Sequence, residues 1–201
     1  MKGLLRKDLY NIRKQLLWYL SMLVVFFILA VALDNLSFSV SISILISTSV
    51  PVTAIAYEEK ENWQKFAVAG GLSAKEISGE KYLLGLICCT ISSAVFGAAF
   101  LIVGRGQNLN FSDFLIPICM QILVLSANLP IVFRYGVEKG RVIIIGLIVA
   151  VLVAWIGIMT FSEKISGNSG AIVWIVSAAV SVLSLILSMH ISERICAKKE
   201  Y

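Results

Sequence analysis

Six apolar runs, at about 16–33, 36–57, 82–103, 113–133, 141–161 and 171–192, are separated by short polar stretches. Each is long enough to cross a hydrocarbon core of about 30 Å, which takes about 20 helical residues. Inside lipid every backbone polar group must be satisfied within the protein, which leaves helices and closed barrels. Barrel strands would alternate in polarity over about ten residues, whereas these runs are unbroken. The pattern predicts an all-α integral membrane protein with six transmembrane helices, forming a single membrane domain over 1–201. Spans one and two meet at little more than Asp34 and Asn35, which forces an antiparallel hairpin. The links at 104–112 and 162–170 read as Gly-, Asn- and Ser-rich turns, too short to hold an external ligand-binding domain.

Composition agrees. The chain is 59% hydrophobic with a mean hydropathy of +0.91, more apolar surface than a soluble domain of 201 residues can hide. With an even number of spans, basic residues of the N-terminal segment, the 58–81 loop, the link after span four and the C-terminal tail fall on one side, fifteen of the seventeen in all; only Arg105 and Lys164 fall on the other. By the positive-inside rule both termini are cytoplasmic. The net charge of +5 then reflects topology and is not evidence of nucleic-acid binding. The first apolar run is too long for a signal-peptide core and leads directly into another span. Cys88, Cys89, Cys119 and Cys196 lack metal-ligand spacing and read as structural thiols.

Residues 1–15 carry Leu5, Leu9, Ile12 and Leu16 at the spacing of one helical face, with Lys2, Arg6, Arg13 and Lys14 mostly elsewhere. They read as an amphipathic elbow helix lying at the membrane surface, or as a simple basic anchor for span one.

The most informative interruption is the loop at 58–81, which holds about a third of the charged residues. Trp63, Phe66, Ala67 and Gly70 share a helical face at i, i+3, i+4 and i+7, after an acidic start that suits the helix dipole. Gly70 and Gly71 break that helix. Ser73-Ala74-Lys75-Glu76 fits a capping box, with Leu72 and Ile77 placed for a hydrophobic staple, so a second helix starts at Ser73 and runs into span three. A re-entry link needs only a few residues; about 24, including Trp63 and Phe66, read as a docking surface on a projecting hairpin.

These residues carry a family resemblance. Over the whole topology the chain resembles the membrane subunit of a type-2 ABC exporter, of the small six-span branch without a fused ATPase. Lys2-Gly3-Leu4-Leu5-Arg6-Lys7-Asp8-Leu9 is similar to that family's elbow helix. Glu58-Glu59-Lys60, Trp63, Phe66-Ala67, Ser73, Lys75-Glu76-Ile77 and Lys81-Tyr82-Leu83 are similar to its loop between spans two and three. The resemblance implies that this loop carries the coupling helix against an ATP-binding subunit, with Glu59, Trp63, Phe66, Gly70, Gly71, Leu72, Ser73, Lys75 and Glu76 as docking residues. Where the family often has Leu-Pro this chain has Gly70-Gly71, which keeps a turn without proline's rigidity.

No Gly-x-x-x-x-Gly-Lys-Ser/Thr loop is present, so ATP and Mg²⁺ would be bound by a partner subunit and no cofactor by this chain. No Ser/His/Asp set or His-Glu-x-x-His run occurs, His190 is the one histidine, and the spans are nearly devoid of ionisable groups. What they hold is neutral and polar: Ser39, Ser43 and Ser47 at i+4 steps in span two; Gln121 and Asn128 in span four, before Pro130; Ser177, Ser181, Ser184 and Ser188 in span six. Small residues let helices approach closely in lipid, so these faces read as packing or as a mildly polar translocation lining. Gly146, Ala150, Ala154 and Gly157 read as packing.

The sequence thus points to a non-catalytic permease subunit of an ABC exporter in a bacterial cytoplasmic membrane. It would pair with a second copy or a related permease and an ATPase dimer, moving an amphipathic or hydrophobic cargo, peptide or lipid-like. The alternatives are a vitamin-binding membrane subunit of an importer, an intramembrane lipid enzyme, and a non-transporting immunity or regulatory protein.

Overall fold

The computed structural model describes residues 2–104, 111–146 and 170–198, which are helical apart from short breaks, with no strand among them. The order is α1 (Lys2–Asn11), α2 (Arg13–Ala32), α3 (Ser37–Lys60), α4 (Trp63–Ala69), α5 (Ala74–Val103), α6 (Phe111–Tyr135), α7 (residues 137–146) and α8 (Gly170–Lys198). Five of these, α2, α3, α5, α6 and α8, are long and apolar enough to cross a membrane. Of the predicted span at 141–161 only residues 141–146 are described; the remainder, its small-residue face beyond Gly146, and the 162–169 link lie outside the described residues.

The breaks between helices have local causes. Between α2 and α3 the chain reverses with Asp34 at φ +48°, and the Asn35 side chain accepts the Ser37 amide at 3.0 Å to start α3. The expected link after α6 shrinks to Gly136, at φ +78°, where a residue with a Cβ is disfavoured. Arg134 therefore lies in the last turn of α6, while Lys139 and Arg141 already belong to α7. The N-terminal segment is two helices meeting at the buried Ile12, and its inward residues are Asp8 and Ile12; Leu9 is exposed. That differs from the predicted apolar face because Asp8 is held by an ion pair.

The middle of the bundle is α3, whose apolar window is 67% buried against 6% for α2. One core layer joins Val52, Ile55, Tyr82, Leu125, Leu129 and Phe133 from α3, α5 and α6, and a second joins Ile12, Ile42, Ile46, Val50 and Leu84. Gly85 lets three helices converge: a Cβ there would stand 2.8 Å from a Leu125 methyl and 3.3 Å from the Pro51 ring. Helix α5 has 30 residues, about 45 Å, against about 30 Å of hydrocarbon. Its apolar stretch starts at Tyr82, so residues 74–81 stand outside the spanning segment. Helices α1 and α4, the starts of α2, α5 and α7, and the ends of α3, α6 and α8 carry the basic residues of the described helices, which puts them at one end of the bundle.

Candidate functional site

At this charged end α1, α3, α4 and α5 meet around one buried ammonium. Lys81, fully buried, donates to Asp8 Oδ2 and lies 2.8 Å from Glu58 Oε1 and 3.8 Å from Glu80 Oε2. Asp8, Glu58 and Glu80 are each at most 2% exposed. Lys7 closes the cluster from the rim, 2.5 Å from Glu58 and 3.3 Å from Asp8, with its ammonium 4.2 Å from the centre of the Trp63 ring. One carboxylate oxygen from each of the three acids lies within 4.8 Å of the others, a spacing suited to a metal ion, but Lys81 already supplies the cation.

The cluster sets its own protonation. Burial pushes the Glu80 carboxyl up to about 7, opposed by Lys81 and reinforced by Asp8 and Glu58. Burial alone would lower the Lys81 pKa, but Glu58 and Asp8 outweigh it and hold the ammonium above its ordinary value. Glu58 Oε2 and Glu80 Oε1 have no protein partner.

The elbow beside this cluster is built from two local motifs. Helix α4 ends in a Schellman motif, with Leu72 N–H donating to Ala67 O at 3.0 Å and Gly71 N–H to Val68 O at 3.0 Å. Gly71, at φ +81°, occupies the left-handed position, whereas Gly70 has an ordinary φ of −78°. Helix α5 then opens with the capping box: the Glu76 amide donates to Ser73 Oγ at 3.3 Å and the Ser73 amide to Glu76 Oε2 at 3.0 Å. These bonds to Ser73 hold the Glu76 carboxyl below its ordinary pKa.

The predicted docking residues separate by environment. Phe66 and its neighbour Val68 are exposed, at 67% and 43%, while Ala67 is buried. Trp63 is half-buried beneath Lys7, and Lys75 is exposed. Leu72, Ser73 and Glu76 belong to the elbow's motifs. Glu59 turns away from α4: its Oε2 accepts the Val137 amide at 3.0 Å, capping α7, and its carboxylate packs beside Gly136.

The polar residues of the spans form two hydrogen-bonded centres. Gln121 on α6 donates through Nε2 to Ser43 O at 2.8 Å, to Ser92 Oγ at 2.5 Å and to Ser47 Oγ, and its Oε1 accepts from Ser93 at 2.9 Å. Tyr82 meets Ser188 and, at 2.8 Å, Ser192, while Ser188 donates to Ser126 O. Ser39 is buried beside the first centre with its hydroxyl unpartnered, and Ser181 bonds back to Ala178 O. Asn128 joins neither centre and lines a cavity of about 520 Å³ between α2, α3, α6 and α7.

Sequence reasoning did not single out Ser92 or Ser126, and it named Asp8 and Tyr82 only within the motifs of the family resemblance. For Asp8 a signal existed: it is the one acid among Lys2, Arg6, Lys7, Arg13 and Lys14. The four cysteines are buried and form no disulfide.

A family model described as "ABC-2 family transporter protein" matches residues 3–197, nearly the full length. No curated protein and no solved structure matches the chain.

Proposed function

The chain belongs to the ABC-2 transporter family, and on that premise we propose that this multi-pass permease is the exporting membrane subunit of an ABC transporter, docked through α4 to a separate ATP-binding subunit. Permeases of this family generally work with such a subunit. The observation that carries the reading is α4 itself. It is a seven-residue helix presenting Phe66 and Val68 outward, at a fixed position between a Schellman turn, a capping box and the Lys7–Trp63 stack. An exposed Phe on a rigid mount suits a protein pocket, since exposed aromatic anchors dominate interface energies.

In this reading the charged end is cytoplasmic, two permeases assemble on one ATPase dimer, and closure of the ATPases presses on α4. The Lys81 cluster ties α4 and α5 to α1, so the push reaches the N-terminal helix as well as the bundle. The cargo is amphipathic or hydrophobic, and it leaves the cytoplasmic membrane of a bacterium. Phe66→Asp tests docking, since the Phe66 side chain is exposed. The variant is expected to insert normally and to lose co-purification of its ATP-binding subunit. Retention of the ATPase by Phe66→Asp would overturn α4 as the docking element.

A further inference from the structure

The cavity between α2, α3, α6 and α7 has no part in docking. Its volume of about 520 Å³ falls within the roughly 300–1,000 Å³ of small-molecule sites. Its walls are largely apolar, including Ile44, Leu45, Ile144 and Ile145, and Asn128 and Arg141 give it direction. Arg141 sits one turn into α7, towards the charged end. Asn128 lies seven residues before the end of α6 at Tyr135, about 10 Å in from that helix end, against about 6 Å for Arg141 from the start of α7. Among the described residues no carboxylate lines this cavity.

Asn128 is the unexpected member. It is 4% exposed, and its Oδ1 accepts no hydrogen bond from the protein. Of the hydroxyls along the same wall, four are already used: Ser41 donates to Ser37 O, Thr48 to Ile44 O, and Tyr19 pairs with Thr53. The other deep amide, Gln121, has both ends satisfied. An acceptor without a donor at membrane depth is costly, and Asn128 is one of the residues that line the cavity.

We propose that the cavity binds an anionic lipid-like amphiphile. Its negative group pairs with Arg141, a hydroxyl or N–H of the same molecule donates to Asn128 Oδ1, and its hydrocarbon lies along Ile44, Leu45 and the α7 isoleucines. This names a class of cargo for the transport function proposed above and rests on that reading for the ligand's fate, though not for its binding.

The test uses the full chain in phosphatidylcholine nanodiscs, without ATPase, and reads binding of lysophosphatidylglycerol and lysophosphatidylcholine by native mass spectrometry. The anionic probe is expected to bind at least about ten-fold tighter. Arg141→Gln should bring the two within about two-fold of each other. Asn128→Leu should weaken lysophosphatidylglycerol about ten-fold, roughly 1.4 kcal/mol, while leaving the ligand-free thermal midpoint equal or higher, because it removes an unpaired acceptor. Equal binding of the two probes overturns the proposal. So does an Asn128→Leu variant that melts earlier yet binds normally, since the amide would then serve the fold. Displacement of the lipid by an amphipathic peptide with a free carboxylate, at lower concentration than by lipid, overturns the lipid class. No ATPase is present, so a failed Phe66→Asp result leaves this measurement intact, and the reverse also holds.

Discussion

Replacing Lys81 by Met removes the one fully buried cation among the described residues of the charged end and keeps a side chain of similar length. Three carboxylates with oxygens within 4.8 Å of each other then share only Lys7, which is 23% exposed. At that separation one pair of like charges repels by about 3.5 kcal/mol with an effective dielectric constant near 20. Proton uptake at Glu80 relieves part of this. Breaking a buried ion pair from one side costs about 3–5 kcal/mol, and the same range is expected for Lys81→Met. Removing both partners should cost much less than the two single changes together. Asp8→Asn/Lys81→Met leaves Glu58 with Lys7, and the cycle should return a coupling of about 2 kcal/mol or more. The assay is reversible unfolding in mixed micelles, followed by loss of helical circular dichroism as dodecyl sulfate is raised. A Lys81→Met cost below about 1 kcal/mol, or single effects that add within about 0.5 kcal/mol, would refute the argument that this cluster holds α1 to α5.

Three further outcomes follow from the same end of the molecule. Glu80 has its folded pKa raised from 4.5 to about 7, so its contribution is complete below pH 4.5 and is lost as pH rises to 7; the displacement corresponds to roughly 3 kcal/mol. Glu80→Gln should flatten that slope in a pH series of unfolding midpoints and stabilise the protein above pH 7; an unchanged slope would place the titration elsewhere. Gly71→Ala, at φ +81°, should cost about 1 kcal/mol, while Gly70→Ala, at φ −78°, should cost less; equal costs would show that the left-handed turn is not maintained. Glu59→Ala should cost about 1 kcal/mol through the lost cap on α7, with Glu59→Gln retaining most of it, and neither should release the ATPase in co-purification.

Local rules made the elbow legible. Ser73 and Glu76 are three residues apart, and the reciprocal bonds between them need nothing from the rest of the fold. The same holds for the Asp34–Asn35 hairpin and for the break at Gly70-Gly71. Periodicity placed Ser39, Ser43 and Ser47 on one face, but a face does not name its neighbour. Ser43 and Ser47 find Gln121 across 78 and 74 residues. The buried ions are harder still, since Lys7–Glu58 and Lys81–Asp8 span 51 and 73 residues. In sequence Lys7 and Asp8 belonged to the elbow helix and Glu58 and Lys81 to the docking loop, with no sign that they pair, because nothing local distinguishes a lysine facing water from one enclosed by acids. Glu59 shows the same limit: the resemblance named it as a docking residue, and only the return of the chain at Gly136 shows that it also caps α7.

The close approach at Gly85 gives α5 a mechanical character. The helix contains no proline, whereas its neighbours carry Pro51 on α3 and Pro117 and Pro130 on α6. It is also pinched at Gly85 between Leu125 and Pro51. A stiff rod held near one point behaves as a lever. The arm from Ser73 to the pinch is about 18 Å and the arm from there to Val103 about 27 Å. A tilt applied at the elbow would therefore emerge at the opposite face reversed in direction and enlarged about one and a half times.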